Sequence, residues 1–239
     1  MGKLGLFVPC YMSVLRPGEA DFAERVLRAL GEDPEVIEGR CCGQPAFNSG
    51  FRAESKTVGR ELLREAGAFE VVVTPSGSCT SMVQHYLPEL FEGSRREAAG
   101  ALGKRFIEFT SYVAGHPRRA DLSFRLAGTV AYHDSCHARR ELGLTGTVVS
   151  LLAQVDGLEV RRLRYEDECC GFGGTFSVKL PEVAAGMVGG KLEDVEATGA
   201  HVLVSTDLSC LAHIESMAKG RGVPLETWSI AELLAKALG

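Results

Sequence analysis

The stretch VVVTPSGSC, residues Val71–Cys79, is echoed in the second half of the chain by VLVSTDLSC, residues Val202–Cys210. Each is a short β-branched run that ends in small polar residues and a cysteine. An apolar run of this length, bounded by Pro, Ser and Gly or Asp, reads as a strand buried on both faces. Beyond the cysteines, the segments CTSMVQHYLPELF at Cys79–Phe91 and CLAHIESMAKG at Cys210–Gly220 have helical spacing. A buried strand that runs straight into a helix is the building unit of a parallel α/β sheet. The chain contains that unit twice, with a thiol at the same joint.

The echo extends outward. LFVPC at Leu6–Cys10 answers VAYHDSC at Val130–Cys136, and FIEFTSYVAG at Phe106–Gly115 answers PLETWSIAELL at Pro224–Leu234. The eight cysteines fall at 10, 41, 42 and 79, then at 136, 169, 170 and 210, so both sets read single, doublet, single. The gaps are 31 and 37 residues in the first set and 33 and 40 in the second. A period of about 120 residues is too long for a solenoid and gives two domain-sized copies, residues 1–120 and 121–239, joined near HPRRADLSFRLAG at His116–Gly128. Within the first copy, GLFVP, PEVIEG, FEVVVTP and RFIEF read as strands. ADFAERVLRALG, SKTVGRELLREAG and CTSMVQHYLPELF read as helices, the last disturbed at Pro88. The second copy alternates TVAYH, LEVRRLRY, HVLVST and PLETW with GTVVSLLAQVDG, EVAAGMVGGKLEDVEATG, CLAHIESMAKG and SIAELLAKALG. The expected fold is α/β: two pseudo-symmetric Rossmann-like halves, each a mostly parallel sheet with helices on both faces.

Composition narrows the function classes. Apolar and charged fractions of 45% and 24% are ordinary for a globular protein. A formal charge of −5 argues against a nucleic-acid surface, which carries a basic excess. The pairs Arg95–Arg96, Arg118–Arg119, Arg139–Arg140 and Arg161–Arg162 are scattered and read as solvated faces. The start, MGKLGLFVPCYM, does not resemble a signal peptide, and no run approaches the ~20 apolar residues of a membrane span. The expected location is the cytoplasm, where cysteines serve as ligands or catalytic thiols rather than as a disulfide framework.

In a parallel sheet the carboxyl ends of the strands share one edge, and ligands bind there. Each copy delivers its four sulfurs from three strand ends, so Cys10, Cys41, Cys42 and Cys79 are expected to form one site and Cys136, Cys169, Cys170 and Cys210 a second. Four thiolates suit either zinc or a 4Fe–4S cluster. Neither copy has the CxxC knuckle common in structural zinc sites, and ligands this far apart in sequence favour the larger cluster. The glycines of ECCGFGG at Glu168–Gly174 let the backbone turn N–H groups toward sulfur, which tunes a cluster. Gly43 and Gly171, after the doublets, are candidates for such contacts, and His133 and His137, which flank Cys136, either contact its sulfur or ligate the centre directly. GFGG lacks the GxGxxG spacing of a phosphate cradle. Buried structural cysteines, disulfides, and a dithiol chemistry at the doublets are the competing readings. His213 stands one helical turn past Cys210 as a further candidate neighbour. His85, His116 and His201 read as ordinary surface or core residues, and Arg139 and Arg140 either offset cluster charge or solvate a helix start.

With RCCGQP at Arg40–Pro45, HDSCHARREL at His133–Leu142, ECCGFGG at Glu168–Gly174 and PSGSC at Pro75–Cys79 in view, the chain resembles the cysteine-rich CCG-domain family. That family includes the cysteine-rich subunit of heterodisulfide reductase, the iron–sulfur subunit of glycolate oxidase, and short two-copy chains of the lactate utilisation protein A type, whose layout is nearest. The resemblance spans essentially the whole chain. It implies an iron–sulfur electron-transfer subunit of a multi-subunit oxidoreductase that converts L-lactate to pyruvate. Its partners would be a ferredoxin-type iron–sulfur protein and a third subunit. No flavin or nicotinamide motif is visible, so a partner would supply the hydride-accepting chemistry, and no catalytic residue is expected on this chain. The family pattern closes each copy with CxxC, whereas here Ser76 and Asp207 stand at the first of those positions. The noncubane clusters of heterodisulfide reductase therefore do not carry over, and four cysteines suit a simpler 4Fe–4S cubane, one or two per chain, with Ser76 and Asp207 as oxygen ligands or hydrogen-bonding neighbours and zinc in one site as an alternative. A zinc-binding scaffold and a thiol–disulfide enzyme remain the competing functions.

Overall fold

β1 (Leu4–Pro9) is buried along its whole length, and its neighbours in the sheet explain why. A computed structural model of the chain describes residues 2–239, and all of their side chains but 38 and 39. The chain divides into two compact units, Met1–Arg119 and Ala120–Gly239. In the first, β1 is followed by α1 (Cys10–Leu15), α2 (Glu19–Ala29), β2 (Glu35–Arg40), α3 (Gln44–Asn48), α4 (Arg52–Ala66), β3 (Val71–Thr74), α5 (Gly77–Ser81), α6 (Gly93–Arg105), β4 (Phe106–Glu108) and α7 (Phe109–Gly115). The sheet is wholly parallel in the order β2-β1-β3-β4, so β1 is interior and both its faces are covered. α4 turns Ser55, Gly59, Leu62 and Ala66 inward at three- and four-residue spacing, the stripe a packed helix needs. Phe7, Leu62, Phe69, Leu87 and Phe106 belong to the core, and so do Cys42 and Cys79.

The second unit repeats the plan with β5 (Phe124–His133), α8 (Cys136–Arg140), α9 (Thr145–Leu152), β6 (Val155–Arg162), α10 (Phe176–Lys179), α11 (Pro181–Ala197), β7 (Val202–Ser205), α12 (Leu208–Arg221), β8 (Glu226–Ser229) and α13 (Ile230–Ala237). Its sheet runs β6-β5-β7-β8, again all parallel. The fold is therefore α/β with two Rossmann-like halves, as expected. In both units the three strands that precede cysteines are contiguous neighbours, so one sheet edge collects all four thiols.

The differences from expectation are local. The helix expected over Cys79–Phe91 is α5, then a widened turn at Met82–Tyr86, then a tight turn at Leu87–Leu90 that carries Pro88. α6 has no counterpart in the sequence reading. Its inward positions are Ala99, Leu102 and Gly103, so it shows almost no apolar stripe. Gly103 is there because a Cβ would come within 3.1 Å of the Gln84 backbone. β6 begins at Val155, earlier than the expected Leu158, because its pairing with β5 already starts at Phe124 opposite Val155. Among the described residues no helix is long and apolar enough to cross a membrane.

Candidate functional site

In the first unit Cys10 opens α1 directly after β1, Cys41 and Cys42 follow β2 at once, and Cys79 lies in the first turn of α5 after β3. Hydrogen bonding links the thiols in a chain, Cys10 to Cys41, Cys41 to Cys42, and Cys42 to Cys79. Cys42 and Cys79 are buried and the other two partly exposed, and all are free thiols. The supports are specific. Tyr11 on α1 donates its hydroxyl to Ser76 Oγ at 2.9 Å, and Ser76 Oγ in turn caps α5 by accepting from the Cys79 N–H at 3.2 Å. Gln44 Nε2 donates to the Ser78 carbonyl at 3.1 Å, which ties the doublet loop to α5. Gly43 takes a φ of 89° and points its N–H at Cys41 Sγ, 3.3 Å away. That left-handed turn requires glycine.

The second unit reproduces this geometry. Cys136 opens α8, Cys169 and Cys170 end the loop after β6, and Cys210 sits in the first turn of α12. The thiol chain runs Cys136 to Cys169, Cys169 to Cys170, and Cys170 to Cys210. Gly171, at φ 80°, donates its N–H to Cys169 Sγ at 3.4 Å. A Cβ there would lie 2.9 Å from the Ala184 carbonyl oxygen, so backbone packs against backbone at this point. Ser135 Oγ caps α8 at the Ala138 N–H and donates to Asp207 Oδ2 at 2.6 Å.

The electrostatics match in both units. Hydrogen bonds from Cys10 and Cys42 hold the Cys41 thiol down at about 3, and those from Cys136 and Cys170 hold Cys169 at about 2. Cys10, Cys42, Cys136 and Cys170 are pushed well up by the same hydrogen bonds, by burial and by neighbouring charge. A metal-free quartet thus stabilises one thiolate at the expense of its neighbours. Four neighbouring thiols of this kind suit a cationic centre, since metal binding is what displaces thiol protons. Eight soft sulfur donors in two clusters, each with a backbone N–H aimed at a sulfur, fit an iron–sulfur centre or zinc.

The remaining sequence candidates fall into place unequally. His133 is fully buried at the end of β5, with a ring nitrogen, Cys170 Sγ and Cys210 Sγ all within 4.8 Å of one another. Burial, and then the charge of Lys191, hold its pKa down at about 4. His137 Nδ1 lies 3.6 Å from Cys136 Sγ. His213 is half-buried with its ring edge-on to Phe172 at 6.0 Å, and burial lowers its pKa. Arg139 reaches Asp134 at 3.8 Å and Glu166 at 3.5 Å, while Arg140 donates to the Asp167 carbonyl at 2.6 Å. Both arginines therefore anchor the loop ahead of the doublet. His116 pairs with Glu32 at 2.9 Å, and His85 and His201 are exposed.

One residue escaped the sequence reading. Lys191 on α11 has a wholly buried side chain that donates to the Tyr165 carbonyl and lies 3.9 Å from Asp194. Asp194 accepts the N–H groups of Arg164 and Tyr165 at 2.9 Å each, so this pair shapes the approach to Cys169 and Cys170. The available signal was its position inside the apolar run Val188, Leu192, Val195 of the expected helix.

Comparison with known proteins agrees with this geometry. The family model described as "CCG: Cysteine-rich domain" matches residues 4–84 and 130–215, one match in each unit. Lactate utilization protein A 1 of Bacillus anthracis is 36% identical over 239 residues, covering 99% of this chain and 99% of that one. Lactate utilization protein A of a Geobacillus species is 37% identical over 235 residues, covering 97% and 98%. Among solved structures, a putative Asp/Glu racemase from Yersinia pestis aligns over 98% of this chain and 96% of its own with a TM-score of 0.39 and 12% identity, too distant a likeness to bear on chemistry. The chain belongs to the CCG family of cysteine-rich-domain proteins, alongside the chains named lactate utilization protein A.

Proposed function

We propose that each unit holds an iron–sulfur cluster of the 4Fe–4S type. Cys10, Cys41, Cys42 and Cys79 ligate the first, and Cys136, Cys169, Cys170 and Cys210 the second. The chain then serves as the electron-transfer subunit of an oxidoreductase that converts L-lactate to pyruvate. The observation that carries the reading is the pair of matched thiol quartets, each gathered by three neighbouring parallel strands and each with a glycine N–H turned onto a sulfur. The names of the full-length relatives supply the substrate. When bound, such a cluster accepts and releases electrons at a potential set by its surroundings.

The chain's own groups do the rest. The cysteines lose their protons on loading, the Gly43 and Gly171 N–H groups stabilise sulfur charge, and the buried Cys42, Cys79, Cys170 and Cys210 keep water from one side of each site. Partner subunits, among them a ferredoxin-type iron–sulfur protein, complete the reaction. The exposed large apolar side chains support such docking. Val14, Leu15 and Phe51 lie in segments that follow Cys10 and Cys42, while Tyr165, Val178, Leu180 and Val183 flank Cys169 and Cys170.

Anaerobic purification followed by iron and acid-labile sulfide analysis tests the reading. The expected result is about four iron and about four sulfide per quartet, with no lactate oxidation by the loaded chain alone. Stoichiometric zinc without sulfide would overturn the cluster assignment, and unaided lactate oxidation would overturn the division of labour.

A further inference from the structure

The two quartets differ at one matched position in a way that bears directly on ligation. His133 precedes Cys136 by three residues and pairs in register with Ser205, which precedes Cys210 by five. In the first unit the residue three before Cys10 is Phe7. It stands one step beyond the registered pair Leu6–Val73, level with Thr74, five residues before Cys79. Phe7 is fully buried and packs edge-on to Phe106 at 5.4 Å, as a core phenyl should. His133 is equally buried, yet neither ring nitrogen has a hydrogen-bond partner. Buried imidazole nitrogens without partners are costly, and a folded protein keeps them where something else completes them.

The geometry indicates what completes this one. A ring nitrogen of His133 and the sulfurs of Cys170 and Cys210 all lie within 4.8 Å of one another, but the imidazole hydrogen-bonds to neither sulfur. Three donor atoms arranged about a common point, and not directed at each other, are placed for a metal. Imidazole also replaces thiolate at iron in some iron–sulfur centres, where it raises the potential.

We propose that His133 is a direct nitrogen ligand of the metal centre in the second unit, occupying one cubane iron in place of one of the four cysteines, which makes that site mixed thiolate–imidazole while the first is all-thiolate. The inference rests on the iron–sulfur reading above. It assigns the two sites different chemistry: the second takes up electrons more readily than the first.

The test uses the full chain labelled with ¹⁵N-histidine and an unlabelled control, both loaded anaerobically with iron and sulfide and reduced with dithionite. Pulsed EPR should show a directly bonded nitrogen coupling that changes with the label. It should vanish in His133→Phe and persist in His137→Phe, which removes the imidazole beside Cys136. If His133→Phe fails to fold, persistence of the label-dependent coupling in both His137→Phe and His213→Phe still assigns it to His133, and ⁵⁷Fe Mössbauer spectra report the same mixed ligation for a diamagnetic state through one distinct iron environment. Iron and sulfide bound with no histidine nitrogen coupling, or with a coupling that survives His133→Phe, overturns the ligation alone. Absence of iron and sulfide overturns the cluster reading and this inference together.

Discussion

The two units share a strand order, a cysteine pattern and a glycine turn, yet they surround their thiols with different chemistry. In the first unit the neighbours are apolar or neutral: Phe7, Leu62 and Ser76. In the second the matched positions hold His133, Lys191 and Asp207. The match of Leu62 with Lys191 comes from the glycine turns. A Cβ on Gly43 would meet Ser55 and Val58, and one on Gly171 would meet Ala184 and Met187. Leu62 and Lys191 each lie seven residues beyond the first of those contacts. What repetition preserves is therefore the set of thiols and the backbone that aims at it. What it leaves free is the field around the donors.

The sharpest way to break the symmetry is at the doublets. Replacing Cys42 by Ala should abolish metal at the first quartet and leave the second loaded, and Cys170→Ala should do the reverse. Each variant should retain about half the iron and sulfide of the unsubstituted chain, measured anaerobically on protein of matched fold by circular dichroism. Complete loss in either single variant would mean that the two quartets do not load independently.

The next effect belongs to the second unit alone. Lys191→Leu, which installs the first unit's residue, removes the donor to the Tyr165 carbonyl and the cation 3.9 Å from the buried Asp194 carboxylate. Breaking a buried pair from one side costs about 3–5 kcal/mol, so denaturant unfolding of the metal-free protein should show a loss of that order. Combining it with Asp194→Asn should cost less than the two single changes summed, because both act on the same turn. An unaltered unfolding midpoint in Lys191→Leu would show that the pair contributes nothing to the loop.

These contrasts also mark what the sequence could and could not reveal. The parallel sheets were legible because Val71–Val73 and Val202–Val204 are uninterrupted apolar runs, as a strand covered on both faces requires. The cysteines drew the reading to the sheet edges because cysteine is rare and each single or doublet followed an expected strand. α6 was not legible, since its packing face is Ala99, Leu102 and Gly103, and one large apolar residue makes no periodic signal. Lys191 was hidden for a different reason. A lysine in a helix reads as solvated, and only the fold shows that its ammonium finds the Tyr165 carbonyl inside. Nor does spacing tell that His133 lacks a hydrogen-bond partner, because that depends on every element packed around it.

The smallest contrast lies at Ser76 and Asp207, three residues before the last cysteine of each quartet. Their side chains do different work at the same register. Ser76 Oγ caps its helix at the Cys79 N–H, whereas Asp207 makes no side-chain cap to α12 and instead accepts from Ser135 Oγ, joining the β7–α12 turn to the start of α8. Ser76→Ala removes a cap and should cost about 1 kcal/mol. Asp207→Ser exchanges the Ser135 contact for a capping oxygen of the first unit's kind, so its net effect on unfolding should be smaller. Its electrostatic effect has a definite sign. The Asp207 carboxylate is one of the charges that push the Cys136 thiol up, after the Cys169 hydrogen bond, burial, and the charges of Cys210 and Cys169. Removing it eases deprotonation of Cys136, so the second quartet should load metal at lower pH in Asp207→Ser than in the unsubstituted chain, with the first quartet unmoved. A pH titration of metal loading, read separately for the two quartets through the doublet variants, checks this. A shift toward higher pH would mean that Asp207 supports the thiolates, as a ligand or through the hydrogen bond to Ser135, more than its charge opposes them.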